Sequence, residues 1–411
     1  MDYYDELIER QLNEAYYSPR ELRYGARAKT FLTAFDLDAL FERKGEILEK
    51  GEDARFVKLD LLAWNSKPLF FSLAKELDSL QGTLLGLSSS LDFTDFTKEA
   101  IKNSRIYSEI EGSLAIENVP TTRKRMAELI QKGADARDVN DTIIKNMAQA
   151  TEFVCSSPSF NEGNLARLYA LLSQNCLSEE NLLKEGSLYR HDEVEVDHYY
   201  GCPSHKIKDC MDSLFSFVAA NLKNPSLKCL LPSIAHYYLL YVHPYFDFNG
   251  RMARMVSLWL HLLTGNPSPS LISEAIDFRK KNYYLALEDS RDSHNDLTYF
   301  LKFIFQTSID YFLCYKNLEG ITQRLKDQGI TWTENEMSYF KKILLSYKGK
   351  FTYFDFLRFS KTEMSKQGAL KTLNKLVSYG LLSSSESKSK AKLFDVRTDC
   401  LDYLMDNLRK R

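Results

Sequence analysis

The sequence predicts a mainly helical protein with a small α+β unit at its C-terminal end. Three observations carry this. Only 17 glycines and 10 prolines occur in 411 residues, too few for a turn-dense all-β fold. Apolar residues recur at helical spacing from Leu69 to about Phe312. After Tyr315 the composition shifts, and a lysine-tipped hairpin pattern follows two further helical stretches.

Taken in order, residues 1–60 form a charged N-terminal extension with helical fragments such as Leu37 to Lys50. Residues 61–320 read as the core and 331–411 as a separate unit. One segment of the core departs from helical spacing. In Ser187 to Gly201, Val194 and Val196 alternate with Glu193, Glu195 and Asp197, the mark of a short strand or hairpin. The C-terminal unit reads as helix Glu334 to Tyr347, a short element around Phe351 to Phe359, helix Met364 to Tyr379 ended by Gly380, and a hairpin Leu381 to Val396.

Lys+Arg 54 against Asp+Glu 56 leaves a net charge of −2, so no global pull towards nucleic acid or anionic lipid is expected. The most apolar run, Cys229 to Phe246, holds two prolines, two histidines and four tyrosines, and reads as a buried core helix rather than a membrane span. Seven scattered cysteines form no zinc-type spacing. With a charged start and no secretory pattern, a cytoplasmic protein with reduced thiols is expected.

The chemistry concentrates in His243-Pro244-Tyr245-Phe246-Asp247-Phe248-Asn249-Gly250-Arg251-Met252-Ala253-Arg254. Pro244 stops the apolar helix before it, and a second apolar helix begins near Gly250, with Asn249 as the expected N-cap. A helix N-terminus with Arg251 and Arg254 on one face is an anion site suited to a polyphosphate. Asp247 is a hard oxygen ligand for Mg²⁺, and His243 can take a proton. Together they describe nucleotidyl or phosphoryl transfer. His236 is too far along its helix to share a metal with His243, and reads as a hydrogen-bonded core residue.

These twelve residues resemble the signature of the Fic family, His-Pro-Phe-x-Asp/Glu-Gly-Asn-Gly-Arg-x-x-Arg. The His236 helix, the Tyr189-Arg190…Val194-Glu195-Val196 hairpin and the Arg279…Tyr283-Tyr284…Leu287 stretch are also similar to that family. The resemblance spans roughly residues 60–315. It implies a Fic-type helical bundle with a β-hairpin flap that transfers AMP from ATP to a Ser, Thr or Tyr hydroxyl of a target protein. On that basis His243 is the general base, Asp247 holds Mg²⁺, Asn249, Gly250 and Arg251 bind the α- and β-phosphates, and Arg254 reaches the γ-phosphate. Tyr245 replaces Phe and keeps the aromatic anchor. Phe248 replaces Gly, which costs about 1–2 kcal/mol if the position needs a left-handed backbone, and its ring would crowd the phosphate loop.

Ser113-Leu114-Ala115-Ile116-Glu117-Asn118 adds a second pattern. Ser113 and Glu117 share a helical face, and a glutamate in a last turn opposes the helix dipole unless a basic partner faces it. The run resembles the Fic inhibitory motif, which implies that Glu117 pairs with Arg254 and blocks the γ-phosphate site. Ser108-Glu109-Ile110-Glu111-Gly112 is a competing register with poorer spacing.

Between Lys361 and Lys392, seven lysines face Glu363 and Glu386, a local charge of +5. The unit resembles a winged helix, which leaves DNA through 361–392 or a protein as its partner. Two alternatives to AMP transfer stay open at this level: a weakened Fic core serving a DNA-binding regulator, and removal of AMP from a modified target. A homo-oligomer and the identity of the target are not decided by these residues.

Overall fold

The computed structural model describes residues 3–25, 27–90, 99–157, 159–196, 199–265, 273–347, 349–360, 364–386 and 391–401, with the side chains at 88–90, 99–106 and 123 left aside. Asp197, Lys361, Glu363, Lys388 and Lys390, and with them the expected hairpin tip, lie outside the described residues. The chain divides into two compact units, Met1–Thr307 and Ser308–Arg411.

The first unit opens with α1 (Tyr3–Asn13), α2 (Pro19–Tyr24) and α3 (Ala34–Lys50). Ser18 with Glu21, and Thr33 with Asp36, form reciprocal capping boxes, and left-handed Gly51 closes α3. Strand β1 (Phe56–Lys58) then pairs antiparallel with β2 (Phe70–Ser72). This ladder was not expected: three-residue strands are too short to show an alternation. Leu7, Leu12, Leu40, Phe41, Phe56 and Phe70 share one core, so the N-terminal helices are built onto the ladder.

Helices α4 (Lys75–Ser90), α5 (Glu99–Ile116), α6 (Arg123–Ile130), α7 (Val139–Ser156) and α8 (Glu162–Ser173) follow. The expected hairpin is present but minimal. Strands β3 (Glu195–Val196) and β4 (Tyr199–Tyr200) pair through Glu195↔Tyr200 and Val196↔Tyr199. Next come α9 (Ile207–Asn221), α10 (Leu231–Val242), α11 (Asn249–Thr264), α12 (Ser273–Phe278), α13 (Lys280–Asp292) and the start of α14 (Thr298–Asp327), whose residues from Ser308 on belong to the second unit. Helix α10 is apolar on nearly every side and all but one of its residues are buried; α11 is buried along most of its length although it carries Asn249, Arg251, Arg254 and His261. They form the centre of the unit and fix the loop between them.

The second unit holds α15 (Glu334–Ser346), α16 (Tyr353–Ser360), α17 (Lys366–Ser378), and strands β5 (Leu382–Glu386) and β6 (Lys392–Val396) in one antiparallel hairpin. The element expected around Phe351 to Phe359 is a helix; only Phe351 extends, bridging to Phe394. Phe340, Phe356, Leu373, Leu376 and Phe394 are its buried centre. Among the described residues no helix is long and apolar enough to cross a membrane.

Candidate active site

The loop from His243 to Phe248 joins α10 to α11 with left-handed backbone at both ends, φ 53° at His243 and φ 71° at Phe248. Three contacts hold it. The Asn249 carboxamide accepts from Tyr245 N at 3.1 Å and donates to Tyr245 O at 2.8 Å. The Tyr245 ring stacks on Tyr169 at 3.8 Å, with 5° between the planes. Arg190, buried, donates from Nε to His243 O at 2.8 Å, and its Nη2 reaches Cys202 O. Its own N–H donates to Pro244 O at 2.9 Å.

Asn249 is therefore not the N-cap expected from the sequence. It is the first residue of α11, behind left-handed Phe248, and no side chain caps the helix. A capping residue needs extended backbone; the φ of Phe248 removes that option, and the carboxamide turns back to satisfy the buried Tyr245 peptide.

The φ > 0 feared for Phe248 is present, and the side chain has a use. Its ring lies 3.6 Å from the Arg251 guanidinium, a stacking arrangement that favours the cation. Arg251 is buried, and its Nε and Nη1 have no hydrogen-bond acceptor. Its Nη2 sits 3.5 Å from Asp247 Oδ1. Two buried donors facing no acceptor suit a missing anionic partner. Asp247 is half exposed and has one oxygen turned to Phe248 N at 2.5 Å. A single accessible carboxylate beside phosphate-seeking donors fits Mg²⁺, which is held by one or two carboxylates plus phosphate oxygens.

Arg254, one turn further, is buried and fully engaged. Its Nε donates to Ser113 Oγ at 2.8 Å, and its Nη2 to Ser113 O at 3.3 Å and Glu117 Oε1 at 2.6 Å. Burial pushes the Glu117 carboxyl up, but Arg254, with Arg251 and Lys280, outweighs burial and holds it below the ordinary value. For Arg254 burial opposes the charge, and Glu117 outweighs it. Helix α5 ends at Ile116, and Asn118 at φ 57° turns the chain away.

His243, Gly250, Arg254 and Glu117 meet on a cavity of about 380 Å³. Much of the rest of its wall is aromatic, Trp64, Tyr199, Tyr241, Tyr283 and Tyr284 among it, with Leu240, Leu287 and Glu288 beside them and Arg291 over Tyr199 at 4.2 Å. Burial, and then the Arg190 charge, pull the His243 imidazole down to about 4. It is neutral at neutral pH. Its Nδ1 is buried, which leaves Nε2 for the cavity. Asp247 and Arg251 do not line this cavity, and Ser113 is buried behind Arg254. His236 is a core residue as expected, 2.8 Å from Tyr283 OH.

Sequence reasoning missed the role of Arg190 and the walls made by Trp64, Tyr199, Tyr241 and Arg291. The hydrogen-bond partners of Arg190 are backbone carbonyls, which leave no trace in side-chain patterns.

Residues 159–261 match the Fic/DOC family. The match covers about a quarter of the chain. It includes α8, the β3–β4 hairpin, α10, the loop from His243 to Phe248 and α11 as far as His261. Among solved structures, the chain is similar to a Fic family protein from Desulfovibrio desulfuricans G20, at 17% identity over 80% of this chain and 98% of that one, with a TM-score of 0.50. That likeness shows a shared fold. Further matches are a Fic domain containing signaling protein from Bacteroides thetaiotaomicron VPI-5482 (16% identity, 57% and 94% coverage, TM-score 0.44) and Fic-1 from C. elegans, residues 134–508 (17%, 57% and 68%, 0.41). No curated protein matches the sequence.

Proposed function

We propose that the chain transfers AMP from ATP to a hydroxyl of a target protein and is restrained by its own Glu117. The observation that carries this reading is the Glu117–Arg254 contact, 2.6 Å long, at the N-terminal end of the helix that also holds Gly250 and Arg251. His243 opens onto the same cavity.

In this reading His243 Nε2 takes the proton of the target hydroxyl as its oxygen attacks the α-phosphorus. A new P–O bond forms, and the bond to the pyrophosphate oxygen breaks. The free amides of the first turn of α11, with Arg251 and Arg254, hold the phosphates. Mg²⁺, held by Asp247 and phosphate oxygens, would offset the negative charge that builds on the leaving group. With Glu117 on Arg254, the γ-phosphate loses its cation and the α-phosphate its alignment for in-line attack. Labelling with α-labelled ATP tests this: Glu117→Gly raises transfer at least tenfold, and His243→Ala abolishes it. Equal labelling by all three proteins refutes it.

A second reading concerns the C-terminal unit alone. Residues 331–411 hold 16 Lys+Arg against 9 Asp+Glu, net +7, within a chain of net −2. Helix α17 exposes Lys366, Gln367, Lys371 and Asn374. Such a set suits phosphate and base-edge contacts in a winged-helix-like unit on duplex DNA. If so, replacing Lys366 and Lys371 by Ala weakens binding and lowers the salt slope by about 1 per lysine; an unchanged slope excludes it.

A further inference from the structure

Ser108-Glu109-Ile110-Glu111-Gly112 precedes the Arg254-binding residues on the same helix, and the structure gives it separate work. Glu109, Ser113 and Glu117 succeed one another at four-residue intervals, so they run along one face of the helix, with Glu117 just past the end of α5. Glu109 is buried. Its Oε2 accepts from Ser273 N at 2.9 Å, and its Oε1 from Ser273 Oγ. Gly112 touches the same spot. A Cβ there would lie 2.3 Å from Glu274 N and 2.6 Å from both Glu274 Cα and Ser273 C. All three are backbone atoms, so no larger residue fits without driving α5 off α12. Past the end of α5, Lys280 Nζ donates to Asn118 Oδ1 at 2.8 Å. Helix α13, which starts at Lys280, also supplies Tyr283 and Tyr284 to the cavity.

We infer that Glu109 and Gly112 form a docking latch, seating α5 on Ser273–Glu274 and thereby holding Glu117 against Arg254. The inference rests on the reading of Glu117 as the restraint. From Glu109 to Glu117 is about 12 Å along a helix axis. A helix moves as a stiff rod over that length, so a shift of an ångström at Gly112 is carried to a contact only 2.6 Å long. The latch is also poised rather than strong. Burial pushes the Glu109 carboxyl up to about 7, in spite of the two Ser273 donors and the nearby Arg254 charge. A displacement of α5 from Ser273–Glu274 would release the restraint without touching the reaction centre. Glu109 and Gly112 act by position, not by contact with substrate.

The test uses the full chain with α-labelled ATP, reading self-modification. Gly112→Ala and Glu109→Ala are expected to raise labelling fivefold or more above wild type. Glu109→Gln should stay near wild type, because its amide accepts from Ser273 N and donates to a turned Ser273 Oγ. Neither Ala change should add more than twofold in the Glu117→Gly background. Hydrogen exchange provides a second readout: amides of 107–118 lose protection in Glu109→Ala and Gly112→Ala while α10 and α11 keep theirs. If Glu117→Gly raises labelling but both Ala variants stay at the wild-type level, the latch is wrong and the restraint stands. If Glu117→Gly does not raise it, the restraint fails and the latch with it. Unchanged protection of 107–118, or loss of protection throughout the chain, also overturns the latch.

Discussion

Glu117 Oε1 stands 2.6 Å from Arg254 Nη2 and 2.5 Å from the point where a Cβ on Gly250 would lie. A carboxylate of the chain itself thus occupies the start of α11, where free amides and the helix dipole favour an anion. Only a glycine at 250 leaves room for it.

Removing this charge exposes the trade between stability and ligand binding. Glu117→Gln is expected to lower stability by about 1–2 kcal/mol, the scale of a hydrogen bond to a charged group at a partly exposed site. The same variant should gain more thermal stabilisation from ATP than wild type does. Urea unfolding and a melting series with ATP and Mg²⁺ read the two effects; equal ATP shifts in both proteins contradict the assignment.

The pH dependence follows from two depressed groups. The Glu117 carboxyl lies below its ordinary value, so its pairing is in full force above about pH 4.5 and is lost as pH falls through the lowered value. His243 is held down to about 4 and accepts a proton at any pH above that. Initial rates of the Glu117→Gly protein should therefore be flat from about pH 8 down to about 5. An acid limb centred near an ordinary histidine value, about 6.5, would show that His243 is not the base or is not buried in the working state.

Phe248 gives an inverted pair of stabilities. At φ 71° any residue with a Cβ carries strain of about 1–2 kcal/mol, which glycine escapes. Losing the buried ring costs both variants the same packing and the Arg251 stack. Phe248→Gly should thus be more stable than Phe248→Ala by about 1 kcal/mol, the reverse of the usual order. Denaturant unfolding of the two proteins decides it.

The buried ion pair in the N-terminal part of the first unit sets a further expectation. Lys44 Nζ lies 3.1 Å from Asp296 Oδ2 and 2.8 Å from Tyr16 OH, with no exposure of consequence at any of them. Lys44→Ala leaves Asp296 charged and unpaired, at a cost of about 3–5 kcal/mol. Asn295, next in the chain, donates to Asn65 Oδ1 at 3.0 Å, and Tyr241 OH donates to the same Asn65 oxygen at 2.9 Å. ATP-induced stabilisation should therefore fall in Lys44→Ala along with the melting temperature. A variant that melts earlier but keeps the full ATP shift would separate the ion pair from the cavity wall.

Much of the site lay open in the sequence because its parts are local. His243, Asp247, Gly250, Arg251 and Arg254 fall within twelve residues, where Pro244 and two apolar helices dictate a bend. Ser113 and Glu117 sit one helical turn apart. Residue type alone points to Asn249 as the cap, whereas the left-handed backbone of Phe248 places Asn249 inside the first turn. The strand at Phe56–Lys58 is too short to leave a period.

By itself the sequence determined the helical character, the bend between His243 and Arg254 and the stripe on α5, since each depends on neighbours a few positions apart. The resemblance already implied Glu117 with Arg254; the tertiary structure alone decided the other pairings: Arg190 with the carbonyls of the loop, Lys44 with Asp296, Glu109 with Ser273. Those pairings span distances in the chain that no periodicity records. They form because a charge or polar group removed from water must find its complement wherever packing brings one.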